Sequence, residues 1–215
     1  MADGHRATRG FAHSPALIVC AKTAEYRSRA ESLPALHDKV IEIGSSYGCT
    51  CEILARGAGS VVGVEIEESL VAESRRRFPT LDFRCADGTN LLSLANALGV
   101  PVPEDGVPPR EPGHGYTLAF IDIAGTATAG LALAAVSCVE RLLCACRRGR
   151  GVRLIVVKNL SLARLQQQMF RGSEAIEAAR SVSSALPIKG MISVTAEDNG
   201  ASRDTNKRRV LRQWR

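Results

Sequence analysis

The chain has 215 residues, of which 45% are hydrophobic and 23% are charged, and its formal net charge is +6. This length and balance suit one globular domain with a full core, and no apolar run approaches the ~18 residues that a membrane-spanning helix requires. The seven cysteines form no Cys-x-x-Cys pair and lie mostly inside apolar runs, so we expect reduced core thiols rather than a zinc site or a disulfide framework.

The N-terminal segment differs from the rest of the chain. Residues 1–24 are predicted to form an extension, and residues 25–215 a single domain. The first 29 residues carry arginines together with Asp3 and Glu25, and they contain no hydrophobic signal core. A cytoplasmic protein is therefore expected, with targeting to an organelle as the open alternative.

Apolar runs alternate with helical patterns along the domain, which is the order expected of a parallel α/β sheet. A further apolar run at residues 15–20 precedes them, without an assignment to the sheet. The predicted strands are residues 40–43, 61–66, 81–85, 116–123, 152–157, 190–196 and 209–214. The predicted helices are residues 25–36, 49–56, 68–77, 90–98, 128–146 and 161–185.

The turn after the first strand predicts a nucleotide-type site. A parallel strand that turns sharply into a helix needs glycine where a side chain would block the turn or the ligand, and Gly44 and Gly48 fit this need. A ligand at this place lies over the N-terminus of the helix, near free backbone N–H groups. Glu65, about 20 residues farther on at the end of the second strand, is suited to accept both hydroxyls of a ribose.

Two phosphate-binding patterns are absent from this turn. A dinucleotide site requires Gly-x-Gly-x-x-Gly, but Ser46 stands two positions after Gly44. A P-loop requires Gly-Lys-Ser/Thr, but Gly48 is followed by Cys49 and Thr50. What remains is a cofactor without a phosphate contact in this loop, or an unliganded α/β domain that only needs tight turns.

The pattern Glu-x-Gly-x-x-x-Gly at Glu42, Gly44 and Gly48 resembles the first motif of the class I S-adenosylmethionine (SAM)-dependent methyltransferases. The resemblance covers roughly residues 25–197. It implies a three-layer, Rossmann-like α/β sandwich with a mostly parallel seven-stranded sheet and an antiparallel last strand. Ser46 departs from the family, in which many members carry a middle glycine.

The resemblance implies SAM as the cofactor and gives its contacts. Glu42 is expected to help hold the methionine end, and Glu65 the ribose. The expected cofactor-binding residues are Glu42, Gly44, Ser45, Ser46, Tyr47, Gly48, Glu65, Ile66, Asp87, Gly88 and Asp122.

Asp87 follows the third strand, and in the resembled family an acid at this point accepts a hydrogen bond from the adenine amino group. The alternative is that Asp87 or Thr89 simply caps the helix at residues 90–98. The two interpretations are compatible.

Three charged residues follow three predicted strands: Asp122, Lys158 and Glu197. Ligands bind outside the C-terminal ends of parallel strands, so these residues are the predicted catalytic set. They resemble part of the Lys-Asp-Lys-Glu tetrad of the heat-shock type ribosomal-RNA ribose 2′-O-methyltransferases, in which the second lysine deprotonates or orients the ribose hydroxyl. Alternatively, Asp122 caps the next helix and Lys158 only ends a buried strand in water.

Residues 26–30, reading Tyr-Arg-Ser-Arg-Ala, match a segment of that same family. The family's first catalytic lysine follows three residues later, where this chain has Leu33. Lys22 or Lys39 is a candidate substitute, with no predicted place in the site. At most three of the four residues of the tetrad are therefore present.

Other classes of methyltransferase have sequence patterns that this chain lacks or contains only in part. The chain has no Asp/Asn-Pro-Pro-Tyr/Phe sequence, which argues against amino methylation of a base, and no Pro-Cys pair, which argues against methylation of cytosine C5. The Asp122 strand end also resembles metal-dependent catechol-type O-methyltransferases, but Lys158 stands where an acidic magnesium ligand is expected, so no metal is predicted. A small-molecule O-methyltransferase and a non-catalytic SAM-binding protein stay open as alternatives.

The charge balance favours RNA as the partner. The last 27 residues hold seven Lys or Arg against three Asp or Glu, and such a tail can bind phosphates electrostatically. A second basic cluster, Arg147, Arg148, Arg150 and Arg153, precedes the fifth strand and belongs to the sheet edge opposite the cofactor. Aromatic residues are only 4% of the chain, which leaves few platforms for base stacking. The sequence makes no prediction of the oligomeric state.

Overall fold

The computed structural model describes residues 14–102, 115–123, 129–144 and 151–171. The strands are β1 Ala16–Cys20, β2 Lys39–Ile43, β3 Ser60–Glu65, β4 Asp82–Cys85, β5 Leu118–Ile121 and β6 Leu154–Lys158. The helices are α1 Thr23–Ser32, α2 Cys49–Ala55, α3 Glu68–Arg77, α4 Leu91–Leu98, α5 Ala129–Val139, which continues as a π-helical turn Glu140–Cys144, and α6 at residues 160–171.

The described strands form one sheet in the order β1-β6-β5-β2-β3-β4, and each neighbouring pair is parallel. From β2 the chain moves outward through β3 and β4, and it then returns to place β5 on the other side of β2. This reversal between β2 and β5 is the topological switch point at which open α/β sheets bind ligands.

Two apolar clusters cover the two faces of the sheet. Ile41, Ile43 and Ile121 point into a cluster with side chains of α4, α5 and α6. Val40 and Phe120, which alternate with them along the strands, point into a second cluster with α1, α2 and α3. Because both faces are covered, the central strand β5 is apolar without interruption, and the predicted layered α/β arrangement is confirmed within the described residues.

Strand β1 lies within the segment predicted as an N-terminal extension. Its five residues pair with β6 in parallel, from Ala16 opposite Leu154 to Cys20 opposite Lys158. The strand is short, and only its C-terminal end is buried. An edge strand of this kind has a weak apolar pattern, and its neighbour lies far away in the sequence.

The described sheet has six parallel strands rather than seven with an antiparallel last one. The sixth strand of the described sheet is β1, which pairs with β6 in parallel. The two remaining predicted strands, residues 190–196 and 209–214, lie outside the described residues.

A buried carboxylate ties the strands together at the edge opposite their C-terminal ends. Asp38 accepts hydrogen bonds from Ala35 N–H at 2.8 Å and from Thr117 Oγ1 at 2.7 Å, and Arg153 pairs with it at 3.1 Å. Burial alone raises the pKa of Asp38, but these hydrogen bonds and the arginine outweigh it and leave the pKa below its ordinary value. Arg153 therefore lies at the predicted edge, whereas the other three arginines of its cluster lie outside the described residues.

Across the described ranges, no helix has both the length and the apolar character required to cross a membrane.

Candidate functional site

A cavity of about 410 Å³ opens at the C-terminal ends of β2, β3, β4 and β5, at the switch point of the sheet. It is lined by Ile43, Gly44, Val64, Glu65, Ile66, Ala86, Asp87, Gly88, Thr89, Asp122, Ile123 and Leu131. Six of the residues predicted to bind the cofactor are among them: Gly44, Glu65, Ile66, Asp87, Gly88 and Asp122.

Two of the lining glycines are required by close approaches. Gly44 has a φ of 81°, and a Cβ at this position would collide with the backbone carbonyl oxygen of Asp122. A Cβ on Gly88 would collide with the side chain of Ile43. Both positions therefore need glycine for the close packing of the segments that form the cavity wall.

The turn between β2 and α2 is held in a tight conformation. Ser46 has a φ of 47°, which is unusual for a residue with a side chain, and its carbonyl accepts a hydrogen bond from Ser74 Oγ at 2.7 Å. Gly48 has a φ of 75° and precedes α2, and its missing Cβ leaves room for the ring of Phe83. Ser45, Ser46, Tyr47 and Gly48 were predicted cofactor contacts, and none of them is among the residues that line the described cavity.

Glu65, at the end of β3, joins this turn to the next strand. Its carboxylate accepts hydrogen bonds from three backbone N–H groups: Ser46 at 2.9 Å, Ile66 at 2.8 Å and Glu67 at 3.2 Å. These bonds fix the orientation of a carboxylate that lines the cavity. Carboxylate oxygens have about four lone-pair positions between them, so about one position, on Oε2, remains for a hydroxyl of a ligand.

Asp87 lines the cavity and does not cap α4. The cap is Asn90, whose side chain accepts from Ser93 N–H at 3.0 Å. Asp87 Oδ1 instead accepts from the N–H and the hydroxyl of Thr89, at 2.8 and 2.6 Å. This closed local turn fixes the Asp87 carboxylate at the cavity wall, and the alternative in which Asp87 or Thr89 caps the helix is wrong.

Glu42 lies behind the turn rather than in the wall of the cavity. It is only 1% exposed, and it accepts hydrogen bonds from the phenol of Tyr26 at 3.4 Å and from Cys51 Sγ at 2.9 Å. Burial raises the pKa of Glu42 to about 8; the negative charge of Asp122 adds to this, and the donors oppose it. Because residues alternate along β2, the position after Ile41 faces the α1 and α2 side of the sheet.

Asp122 and Lys158 form an ion pair at the C-terminal edge. Lys158 Nζ lies 2.6 Å from Asp122 Oδ2, and the two side chains are 14% and 20% exposed. The same ammonium donates to Thr23 Oγ1, at the start of α1, at 3.3 Å. The adjacent strands β5 and β6 thus bring together two of the three predicted catalytic residues, while Glu197 lies outside the described residues.

Several residues of the site were not predicted. Thr23 lay outside the predicted helix at residues 25–36. Tyr26 was noted only as part of the segment that matches the resembled family, and Cys51 looked like an ordinary core thiol. Thr89 was considered only as a cap. The roles of these residues depend on which strands become neighbours in the sheet. Their spacing along the sequence does not reveal this. The remaining unpredicted residues of the cavity wall are Ile43, Val64, Ala86, Ile123 and Leu131.

Within the described ranges, no three His, Cys, Asp or Glu side chains lie close enough together to hold a metal ion. The carboxylate in the position that resembles a magnesium ligand, Asp122, already pairs with the Lys158 ammonium. A cation would have to compete with that ammonium for the carboxylate.

No protein-family model matches the chain, and no curated protein matches it either. Among solved structures, the chain is similar to the 23S rRNA methyltransferase ErmE, with 19% identity, a TM-score of 0.42 and coverage of 66% of this chain and 48% of that one. It is also similar to CalS10, a SAM-bound amino pentose methyltransferase from Micromonospora echinaspora, with 18% identity, a TM-score of 0.36 and coverage of 55% and 44%. A third similar structure is a dimethyladenosine transferase from Plasmodium falciparum, with 15% identity, a TM-score of 0.35 and coverage of 55% and 38%.

The chain spans less than half the length of each of these three structures. Their names include transferases of small molecules and of RNA. What this chain binds or does is therefore inferred from its own geometry and not from these structures.

Proposed function

We propose that the chain is a class I SAM-dependent methyltransferase that transfers a methyl group to a ribose 2′-hydroxyl of RNA. The observation that carries the proposal is the Asp122–Lys158 ion pair, because Asp122 belongs both to that pair and to the wall of the cavity. Asp122 therefore connects the proposed cofactor cavity to an ion pair whose groups can bind and release protons.

The residues of the cavity fit SAM. Glu65 offers a carboxylate oxygen for a ribose hydroxyl, and Asp87 offers one for an adenine amino group. Gly44 and Gly88 allow the close backbone packing that shapes the wall between these carboxylates. Ser45 Oγ is buried and has no hydrogen-bond partner among the described residues, so a polar group remains to be satisfied beside the turn.

SAM, when bound, supplies an electrophilic methyl group. The chain's own residues then have to hold the acceptor oxygen in line with that group, and this positioning accounts for most of the rate enhancement. Lys158 Nζ has three N–H donors, and two of them are engaged by Asp122 and Thr23. The third is suited to a hydroxyl oxygen of the acceptor. Asp122 keeps the ammonium in place through Oδ2, and its other carboxylate oxygen would accept the proton that the hydroxyl loses on methylation. Glu197 stays a predicted member of this set.

Charge supports RNA as the class of acceptor. The whole chain has a formal net charge of +6 and a pI of about 9.1, which favours binding to a polyanion. The basic residues near the C-terminus are the proposed contact to the phosphate backbone.

Isothermal titration calorimetry with SAM tests the cofactor. We expect binding by the wild type and at least a tenfold loss of affinity in Glu65→Ala, because the ribose hydroxyls lose their acceptor. Glu67→Ala is the matched control: it removes an equal charge two positions away, at a residue that is not among those lining the cavity. The proposal is wrong if SAM does not bind, or if both variants bind as the wild type does.

Transfer from tritiated SAM tests the acceptor. Total RNA is offered in one reaction, and a panel of phenols and carboxylic acids in another. A methyl group on the 2′-oxygen blocks alkaline cleavage of the adjacent phosphodiester, so label is expected in alkali-resistant dinucleotides. Lys158→Ala should abolish this label, whereas Lys39→Ala, a lysine at the opposite end of the sheet, should retain it. Label only in small molecules, or SAM binding without any transfer, would reject RNA methylation in favour of the two alternative functions.

A further inference from the structure

Lys158 is held from two sides by groups from distant parts of the chain. Asp122 follows β5, the strand beside β6, and contacts Nζ at 2.6 Å. Thr23 is the first residue of α1, the helix that follows β1, and β1 is the strand on the other side of β6. The Thr23 hydroxyl accepts from the same Nζ at 3.3 Å. A lysine side chain has several rotatable bonds, so one contact leaves it mobile, whereas two contacts on different elements restrict it to a small region.

The path of the chain explains why Thr23 reaches this position. In the parallel register of β1 and β6, Cys20 lies opposite Lys158, and Asn159 N–H donates to Cys20 O at 3.0 Å. Three residues later the chain enters α1, where Ala21 N–H donates to Glu25 Oε2 at 3.0 Å and fixes the first turn. The pairing of β1 with β6 therefore delivers the first residue of α1 to the C-terminal end of β6.

The residue that contacts Lys158 lies at the start of α1, and not at the position where the resembled tetrad has its first lysine. The resembled tetrad has its first lysine at the position of Leu33, which is the C-terminal cap of α1 and packs against the apolar cluster that contains Tyr26. The helix is 10 residues long, so its ends are about 15 Å apart. Leu33 and Thr23 thus lie at opposite ends of the helix, and only Thr23 contacts the lysine.

We propose that Thr23 is a positioning residue for Lys158, its hydroxyl fixing the ammonium that Asp122 holds from the other side. This role rests on the proposed function, since it assigns Thr23 to the orientation of the acceptor hydroxyl. Thr23 acts through Lys158 and does not itself touch the cofactor cavity, because it is absent from the residues that line it.

Two substitutions separate the hydroxyl from the rest of the side chain. Thr23→Val keeps the shape and removes the acceptor, and Thr23→Ser keeps the acceptor and removes a methyl group. In single-turnover transfer from SAM to RNA, we expect about a tenfold lower rate for Thr23→Val and nearly the wild-type rate for Thr23→Ser. The affinity for SAM and the melting temperature should be the same in both variants.

A second measurement does not require any methyl transfer. Lysine amines are acylated competitively, and the rate for each amine is measured by mass spectrometry, with Lys39 as the internal reference. An amine that is held by hydrogen bonds reacts more slowly than one that is not. Lys158 should react several-fold faster in Thr23→Val than in the wild type, and Thr23→Ser should restore slow reaction.

The outcomes distinguish the two proposals. A wild type that methylates no RNA while Lys158 still reacts faster in Thr23→Val would reject the acceptor but retain the contact. Equal Lys158 reactivity in all three proteins would overturn the positioning role. Faster labelling with an unchanged transfer rate, or an equal fall in SAM affinity in both variants, would also overturn it.

Discussion

The phenol of Tyr26 donates a hydrogen bond to Glu42 Oε1 at 3.4 Å, and both residues are fully buried although they lie 16 positions apart. This contact joins α1 to β2 beneath the glycine turn. Burial raises the pKa of Tyr26 well above its ordinary value, and the negative charge of Glu42 adds to the effect. The protein therefore holds a carboxyl group in a place that favours its neutral form.

The first prediction concerns stability against pH. The native pKa of Glu42 is about 8 and its ordinary value is 4.5, so the folded state binds the extra proton between these values. This group's contribution to stability is greatest below pH 4.5 and is lost as the pH rises towards 8, by up to about 1.4 kcal/mol per pH unit. Glu42→Gln, which resembles the neutral carboxyl, should remove this decline.

The measurement is urea unfolding of both proteins between pH 5 and pH 9, expressed as the difference between them. The groups that face Glu42 are Tyr26 on α1, Thr50 and Cys51 on α2 and Asp122 after β5, and all are present in both proteins. A difference that does not change with pH would show that Glu42 is ionised in the folded state.

The second prediction concerns the glycine turn. Gly44→Ala should destabilise the fold by about 2 to 4 kcal/mol, because it adds a left-handed backbone penalty to a collision with the Asp122 carbonyl. Gly99→Ala is the matched control: its φ is 67°, and no atom of the described chain lies within 4 Å of the added Cβ. The control should lose only about 1 kcal/mol. Equal losses in urea unfolding would show that the Asp122 carbonyl does not restrict this position.

The third prediction concerns the hydrogen bonds of Asp38, at the edge of the sheet opposite the C-terminal ends of the strands. Thr117→Val removes a hydroxyl that donates to Asp38 at 2.7 Å, and it should cost about 1.5 to 3 kcal/mol because a buried carboxylate loses a donor. Thr117→Ser should retain most of the stability. The hydrogen bonds keep the pKa of Asp38 low, so its contribution is present above the unfolded value and is lost as the pH falls through the native value. Acid unfolding should therefore begin at a higher pH in Thr117→Val, with SAM affinity unchanged in calorimetry.

The fourth prediction separates the roles of two neighbouring polar residues. Asn90→Ala removes the cap of α4 and should cost about 1 kcal/mol of stability while leaving the SAM affinity as it is. Asp87→Ala should lower the SAM affinity at least tenfold, because Asp87 lines the cavity and is the proposed acceptor for the adenine amino group. Calorimetry and thermal unfolding of both variants give the comparison. Equal affinities would remove Asp87 from the cofactor site.

The sequence predicted most of the strands and helices because buried parallel strands are continuous apolar runs with glycine turns after them. The positions of Gly44, Glu65 and Asp87 followed from the same local rules, and the structure places all three in one cavity wall. The pairing of Asp122 with Lys158 followed from placing both at strand ends.

Features that depend on distant pairing were not predictable from the sequence. The contact of Thr23 with Lys158 requires knowing that β1 lies beside β6, and the half-exposed residues of β1 give no such signal. The family resemblance implied that Glu42 helps to hold the methionine end of the cofactor. Its side of the strand depends on the alternation of β2, which places it with Tyr26 and Cys51 instead.

The pairing of β1 with β6 also sets an order for folding during synthesis. Thr23 and Lys158 are 135 positions apart, so at ordinary ribosome speeds roughly ten seconds pass between the emergence of one and of the other. Strands β2, β3 and β4 are close in the sequence and can pair in that interval, while β1 waits without its partner. The Glu65 and Asp87 side of the cavity wall can thus form early. The contact of Lys158 with Asp122 and Thr23 is assembled only after β6 has left the ribosome, so it is the last part of the site to form.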